Sequence, residues 1–290
     1  MRILIIGASG FLGSFCYGEL SERPDNAVTG TYGRSKTLPE FVHIDLTSPD
    51  SVRNVMLNTN PDIVIWCAKH SSPQLSEETI NQIGLSSIFK HSSPNMRLVF
   101  VSTDGLLPGL KGPYSETAYP TPVLAETPVA LYTNSKIESE KYIASSFQNY
   151  CILRVGPIYG RDLNGNWDPR ITALLESFER NEVVTRPTNI LRTFIHVRDL
   201  ASAICEIAFK DVQGIFHFGP AKAENYFDFA VAVADAFGYD RTLVVPTLIS
   251  DSVAQLKHLK MDATMDTSKA TACLSTTFRT VKDALKGMVT

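Results

Sequence analysis

Four aliphatic residues running straight into three evenly spaced glycines constrain this chain more than any other feature. It begins MRILIIGASGFLG. Ile3 to Ile6 has the length and branching of a strand buried on both faces, as found inside parallel sheets. Phe11 to Glu19 reads as a helix, which puts Gly7, Gly10 and Gly13 at a strand-to-helix turn. Glycines there let the backbone turn tightly and let a phosphate approach the N–H groups at the helix start. That is a dinucleotide site in outline. Glycines also serve plain tight turns, so the motif needs support from the rest of the chain.

The support begins with alternation. Strand patterns fall at Arg2–Ile6, Ala27–Tyr32, Phe41–Ile44, Asp62–Ala68, Arg97–Ser102 and Tyr150–Val155. Helical patterns separate them at Phe11–Arg23, Ser48–Asn58, Glu77–His91 and Leu131–Ser146. Such alternation predicts right-handed βαβ crossovers and a parallel sheet. The second half changes character. Helices at Asp168–Asn181, Val197–Lys210, Tyr226–Phe237 and Thr280–Met288 are separated by short strands such as Gly214–Phe218 and Leu243–Val245. The expected architecture is a Rossmann-type doubly wound α/β sheet of residues 1–158, joined by 197–218. A smaller α/β substrate domain of residues 159–196 and 219–290 then leaves a cleft between the two. The stretch from Asp104 to Ala130, rich in proline and glycine, is expected to be a functional lid or a disordered segment.

Composition excludes other classes. A formal charge of -3 and a pI near 6.1 give no electrostatic case for nucleic acid or membrane surfaces. No apolar run has the length of a membrane span, and the aliphatic start is too short for a signal peptide. The five cysteines, Cys16, Cys67, Cys151, Cys205 and Cys273, include no C-x-x-C pair. Most fall within predicted elements and are expected to be buried free thiols. Six scattered histidines show no metal spacing. These features point to a cytosolic protein.

Two further stretches carry chemistry. In VFVSTDG, Ser102, Thr103 and Asp104 end a strand, the edge at which open α/β sheets bind ligands. In LYTNSKIESEKYI, Tyr132 and Lys136 stand four apart and so share one helical face. A phenol, with an ordinary pKa of ~10, is a poor acid at neutrality. A neighbouring ammonium favours the phenolate, which is the tuning that general acid–base work needs. A surface Tyr and Lys is the plain alternative. The order of Gly-rich turn, Ser-Thr strand end and Y-x-x-x-K favours catalysis.

Here the sequence resembles the extended short-chain dehydrogenase/reductase family over nearly its whole length. GASGFLG is similar to the cofactor turn, YTNSK to the Tyr/Lys pair, CILRVGPIYG to the segment after the sixth strand, and RTFIHVRDLA to a late substrate-side signature. STDG, PYSE at Pro113 and MDATMDTSK look most like the dTDP-4-dehydrorhamnose reductase branch. The match departs at Gly105, where an aromatic is expected, and in the long segment between Thr103 and Tyr132.

The resemblance implies hydride transfer between a nicotinamide and the keto group of a nucleotide-linked deoxysugar. Thr103, Tyr132 and Lys136 would be catalytic: Thr103 on the carbonyl oxygen, Tyr132 as proton donor, Lys136 on the nicotinamide ribose. Cofactor contacts would come from Gly7, Ser9, Gly10, Phe11, Leu12, Gly13, Arg34, Ser35, Asp45, Leu46, Ala68, Tyr132 and Lys136. Substrate contacts would come from Thr103, Asp104 and Arg192, the last facing a phosphate or holding a surface ion pair. Related dehydratases need an acidic pair after the Thr, and fucose-synthase-like epimerases a cysteine at the place Gly105 fills, so simple reduction is the favoured chemistry. NADP(H) is expected over NAD(H), because Thr29 to Lys36 holds no carboxylate to repel a 2′-phosphate while Arg34 and Ser35 can hold one. His196 is expected to be packed and hydrogen-bonded, and Asp199 to cap or pair locally. The partner is a small-molecule nucleotide sugar, with room for a homodimer. The alternative readings are an epimerase or dehydratase of the same family, or a non-catalytic NADP-binding regulatory subunit. The β subunit of methionine adenosyltransferase, which resembles this branch, is of the last kind.

Overall fold

The computed structural model describes residues 1–69, 77–124, 127 and 129–286. The chain forms two compact units, each assembled from three segments. The first takes residues 1–106, 122–154 and 201–216, and the second 107–121, 155–200 and 217–290.

The first unit is built on β1 (Arg2–Ile6), β2 (Ala27–Tyr32), β3 (Val42–His43), β4 (Ile63–Trp66), β5 (Arg97–Val101) and β6 (Tyr150–Val155). With the strand Gly214–Phe218 at one edge, the sheet order is Gly214–Phe218, β6, β5, β4, β1, β2, β3. Every pairing among β1 to β6 is parallel. This is the doubly wound Rossmann-type sheet. The strand order reverses between β1 and β4, which are in register from Ile3 opposite Ile63 to Ile6 opposite Trp66. A crevice opens at the carboxyl ends of strands where such an order reverses.

Four helices cross between these strands: α1 (Phe11–Ser21), α2 (Pro49–Thr59), α3 (Glu77–His91) and α4 (Ala130–Ser146). Ser48 starts α2 by accepting a hydrogen bond from the Ser51 N–H, and Pro49 occupies the first turn, where no N–H is missed. Leu4, Ile6, Trp66, Leu98, Phe100 and Ile152 supply the strand side of a core completed by Val52, Ile80, Ile88 and Ile143 from the helices. Burial of each large side chain contributes about 1.5–3 kcal/mol. The expected strand at Phe41–Ile44 shrinks to two residues, because β3 lies at the sheet edge and both Val42 and His43 are exposed.

The second unit packs the helices Pro169–Glu179, Tyr226–Phe237 and Val281–Lys286 around Tyr159, Leu174, Phe178, Phe194, Phe229 and Val233. Asp168, Asn225 and Thr280 act as side-chain caps, so the first and last helical expectations begin one residue early. Residues 287–290, where the last expected helix ends, lie outside the described residues. Strand Val244–Thr247 pairs in parallel with Val184–Pro187, and Leu191–Arg192 runs antiparallel to Glu224–Asn225.

Of the two expectations for the stretch after Asp104, disorder is corrected for 107–121. The Gly109 carbonyl accepts from the N–H groups of Met261 and Asp262 at 2.8 and 3.1 Å. Tyr114 donates to the Thr264 carbonyl and accepts from the Asp266 N–H, both at 2.8 Å. The MDATMDTSK motif therefore supplies the backbone that pins this stretch down. All five cysteines are free thiols, with Cys16, Cys151 and Cys205 buried. Among the described residues, no helix is long and apolar enough to cross a membrane and no group of residues has metal-binding form.

Candidate active site

The glycine turn lies at the reversal point of the sheet. Gly7 has φ +86°, and a Cβ there would come within 2.8 Å of the Ala68 Cα at the end of β4. A Cβ on Gly13 would fall 2.2 Å from the Gly7 carbonyl oxygen. Both positions are closed to any larger residue, for backbone strain at Gly7 and for close approach at both. The Gly10 N–H donates to the Gly7 carbonyl at 3.0 Å, and Gly10 starts α1 with no side-chain cap. The next three N–H groups of α1 have no carbonyl within the helix to bond, which suits an anion in front of them. Sequence reasoning passed over Thr31. Its hydroxyl accepts from the Gly7 N–H at 3.2 Å and donates to the Ile5 carbonyl at 3.0 Å, which ties the turn to β2.

Around that turn, Ser9 donates its N–H to the Thr31 carbonyl, and Phe11 and Leu12 open the helix. Arg34 and Ser35 are exposed in the turn after β2, and Lys36 lies with its ammonium 5.7 Å from the centre of the Tyr32 ring. After β3, the Asp45 carboxylate accepts from the Thr47 N–H and hydroxyl at 2.9 and 2.7 Å, and Leu46 is buried.

The second cluster sits where β5 ends against α4. Thr103 and Asp104 are both buried, and the Thr103 hydroxyl accepts from the Gly105 N–H at 3.0 Å. A Cβ on Gly105 would stand 3.2 Å from the Thr133 hydroxyl and 3.3 Å from that of Thr103. A side chain at 105 would need these two hydroxyls to give way by a few tenths of an ångström. Lys136 is 3% exposed, and its ammonium donates to the Val101 carbonyl at 2.9 Å. That ammonium also lies 4.3 Å from the centre of the Phe100 ring and 5.9 Å from that of Tyr132. The structure thus gathers Thr103, Tyr132 and Lys136 about the end of β5.

A buried ion pair fixes α4 at this place. Arg154 on β6 and Glu140 on α4 are 1% and 4% exposed and meet at 2.7 Å. The Ser102 hydroxyl donates to the same carboxylate at 2.5 Å. Sequence reasoning read none of these three together, because only the fold brings positions 102, 140 and 154 to one point. In the same helix, the Asn134 side chain accepts from and donates to the Val123 backbone, both at 2.8 Å.

Arg192 belongs to the second unit and is half-buried. Its guanidinium donates to the carbonyls of Leu191 and Lys260, each at 2.7 Å. His196 is buried with its ring against Tyr159. Asp199 holds Arg279 through both carboxylate oxygens, so it pairs far along the chain as well as beside His196. Burial pushes the Asp199 carboxyl up, and the His196 and Arg279 groups around it outweigh that and hold it below the ordinary range.

A family model described as "RmlD substrate binding domain" matches residues 1–290. The methionine adenosyltransferase 2 subunit beta of Danio rerio is 25% identical over 84% of this chain and 76% of its own length. The dTDP-4-dehydrorhamnose reductase of Aggregatibacter actinomycetemcomitans is 25% identical over 81% of this chain and 78% of its own. Among solved structures, a dTDP-4-dehydrorhamnose reductase from Bacillus anthracis in complex with NADP superposes with a TM-score of 0.79 at 20% identity. That likeness covers 99% of this chain and 96% of the other.

Proposed function

The chain belongs to the RmlD substrate binding domain family, and from that premise we propose that it is an NADP(H)-dependent reductase. Its substrate is the keto group of a nucleotide-linked deoxysugar, as in dTDP-4-dehydrorhamnose reductases. The observation that carries this reading is the buried Lys136 ammonium beside Tyr132 at the end of β5, the strand that runs into the buried Thr103. A pure binding protein has no need of that set.

The glycine turn fits the pyrophosphate of a dinucleotide: Gly7 and Gly13 leave the room a Cβ would fill, and the start of α1 is uncapped. A nicotinamide held there would be the source of hydride for a keto carbon. Thr103 holds the carbonyl oxygen through its hydroxyl. Tyr132 gives that oxygen a proton as it gains charge. Lys136 steadies the phenolate that remains and holds the ribose hydroxyls. Ser9, Gly10, Phe11, Leu12, Asp45, Leu46 and Ala68 complete the cofactor contacts. Arg34 and Ser35 take the 2′-phosphate, and Asp104 and Arg192 serve the substrate.

The test is NADPH oxidation with 4-keto-6-deoxysugar nucleotides. Tyr132→Phe should keep NADPH affinity and lower kcat by about two to four orders of magnitude, the usual worth of a general acid. Undiminished turnover in that variant overturns the mechanism.

A second reading, an NADP-binding regulatory subunit, draws on the similarity to subunit beta of methionine adenosyltransferase 2. It predicts a stoichiometric protein partner on co-purification and no turnover with any keto-sugar nucleotide.

A further inference from the structure

Tyr132 faces two ammonium groups, and the nearer one is not on its own helix. Lys69 follows the carboxyl end of β4, and its Nζ stands 5.0 Å from the centre of the Tyr132 ring. Lys136 Nζ stands 5.9 Å from the same centre. The Lys136 ammonium is also divided among other contacts, since it donates to the Val101 carbonyl and lies 4.3 Å from the Phe100 ring centre. Each of these draws its charge toward β5. Lys69 is exposed, with Tyr132 the aromatic ring it covers.

A cation over an aromatic face is attracted to the ring and fixes its tilt. It also favours phenolate over phenol, because the charge lies well inside the ~8–10 Å over which salt screens surface charges. Among the described residues, the other charged groups around α4 do not supply this. Asp104, in the turn that packs on α4 beside Thr133, opposes ionisation of a phenol. Glu140 and Arg154, two turns further along, neutralise one another. Glu138 and Lys141 pair on the exposed side of the helix.

We infer that Lys69 is a positioning residue for Tyr132: its ammonium, laid on the ring face, holds the ring and lowers the pH at which the hydroxyl releases its proton. For its use in catalysis the inference rests on the reductase reading proposed above. As a property of the folded chain it can be measured without turnover. Two cations then act on one phenol from different places in the chain, the segment after β4 and α4. Lys136 can bind ribose hydroxyls while Lys69 continues to favour the phenolate.

The experiment is a pH titration of the full chain carrying tyrosine labelled at the ring carbon that bears the hydroxyl. The Tyr132 resonance is assigned by its loss in Tyr132→Phe. Lys69→Gln should raise the Tyr132 midpoint by about half a pH unit to one unit, as a partly screened charge at this range predicts. Lys69→Arg, which keeps the charge, should restore it. In turnover assays the Tyr132-dependent limb of the pH–kcat profile should move by the same amount, with KM for the keto sugar unchanged. A midpoint that stays put in Lys69→Gln overturns the inference. So does weaker NADPH binding with an unmoved midpoint, which makes Lys69 a cofactor contact instead. Absence of all turnover in the wild type overturns the reductase reading alone, and the titration still decides the role of Lys69.

Discussion

Arg34 leaves the end of β2 into solvent, one residue before Ser35, in a turn with no carboxylate from Thr29 to Lys36. If the pair holds a 2′-phosphate, removing one charged contact costs on the order of 1.5–3 kcal/mol, or roughly ten- to hundred-fold in affinity. Arg34→Ala should therefore lower the ratio of NADPH to NADH affinity by that factor, read by fluorescence titration of both nucleotides. A wild type that prefers NADH, or a ratio that does not move, refutes the assignment. At this scale the sequence was informative wherever residue type and local spacing decide which groups meet. Gly7 and Gly13 announce themselves by their spacing, and Tyr132 and Lys136 by sharing a helical face. Lys69 did not, because its contact with Tyr132 joins positions 63 residues apart in the chain. The hold on Arg192 was not legible either: its half-buried guanidinium bonds the carbonyls of Leu191 and of Lys260, 68 residues away.

One bolt joins β5, α4 and β6: Ser102, Glu140 and Arg154 converge on a single carboxylate. A buried charge left without its partner is costly, whereas replacing both members by apolar residues can be nearly neutral. Arg154→Met alone should destabilise the protein by about 3–5 kcal/mol in urea unfolding. The double variant Arg154→Met/Glu140→Leu should recover most of that loss. Equal destabilisation in the single and double variants contradicts the account. Elements were legible in proportion to their length and burial. β1, β2, β6, Gly214–Phe218 and Tyr226–Phe237 have the bounds the pattern predicts. The two-residue strands at Ile158–Tyr159, Leu191–Arg192 and Ile195–His196 are too short to show any period. Val184–Pro187 ends in proline and is partly exposed, so it carries no strand signal of its own.

Across the whole molecule, two buried carboxylates pull stability in opposite directions as pH changes. Burial pushes Glu224 up, and Lys222 and the Val281 N–H only partly offset this. A carboxyl raised in the fold contributes most below its unfolded value of ~4.3, and that contribution is lost as pH rises through the folded value. Asp199 is held low, so its contribution is present above ~3.9 and lost as pH falls further. Glu224→Gln should therefore raise the thermal midpoint relative to wild type at pH 7 and give no gain at pH 4. An equal offset at both pH values tells against this linkage. At this scale the alternation of elements made the doubly wound sheet legible. The hold on 107–121 was not, since it depends on hydrogen bonds to residues about 150 positions away, beyond the reach of any local pattern.

The interleaving of the two units has a consequence for how such a chain can be recombined. Junctions fall at 106/107, 121/122, 154/155, 200/201 and 216/217, so neither unit is a continuous piece. No single crossover with a relative exchanges one whole unit and nothing else, and one that falls between 107 and 216 divides both. Grafting the second unit alone onto another member requires all five junctions together. Change of specificity in a chain of this layout is therefore open to substitution in place and largely closed to shuffling of modules.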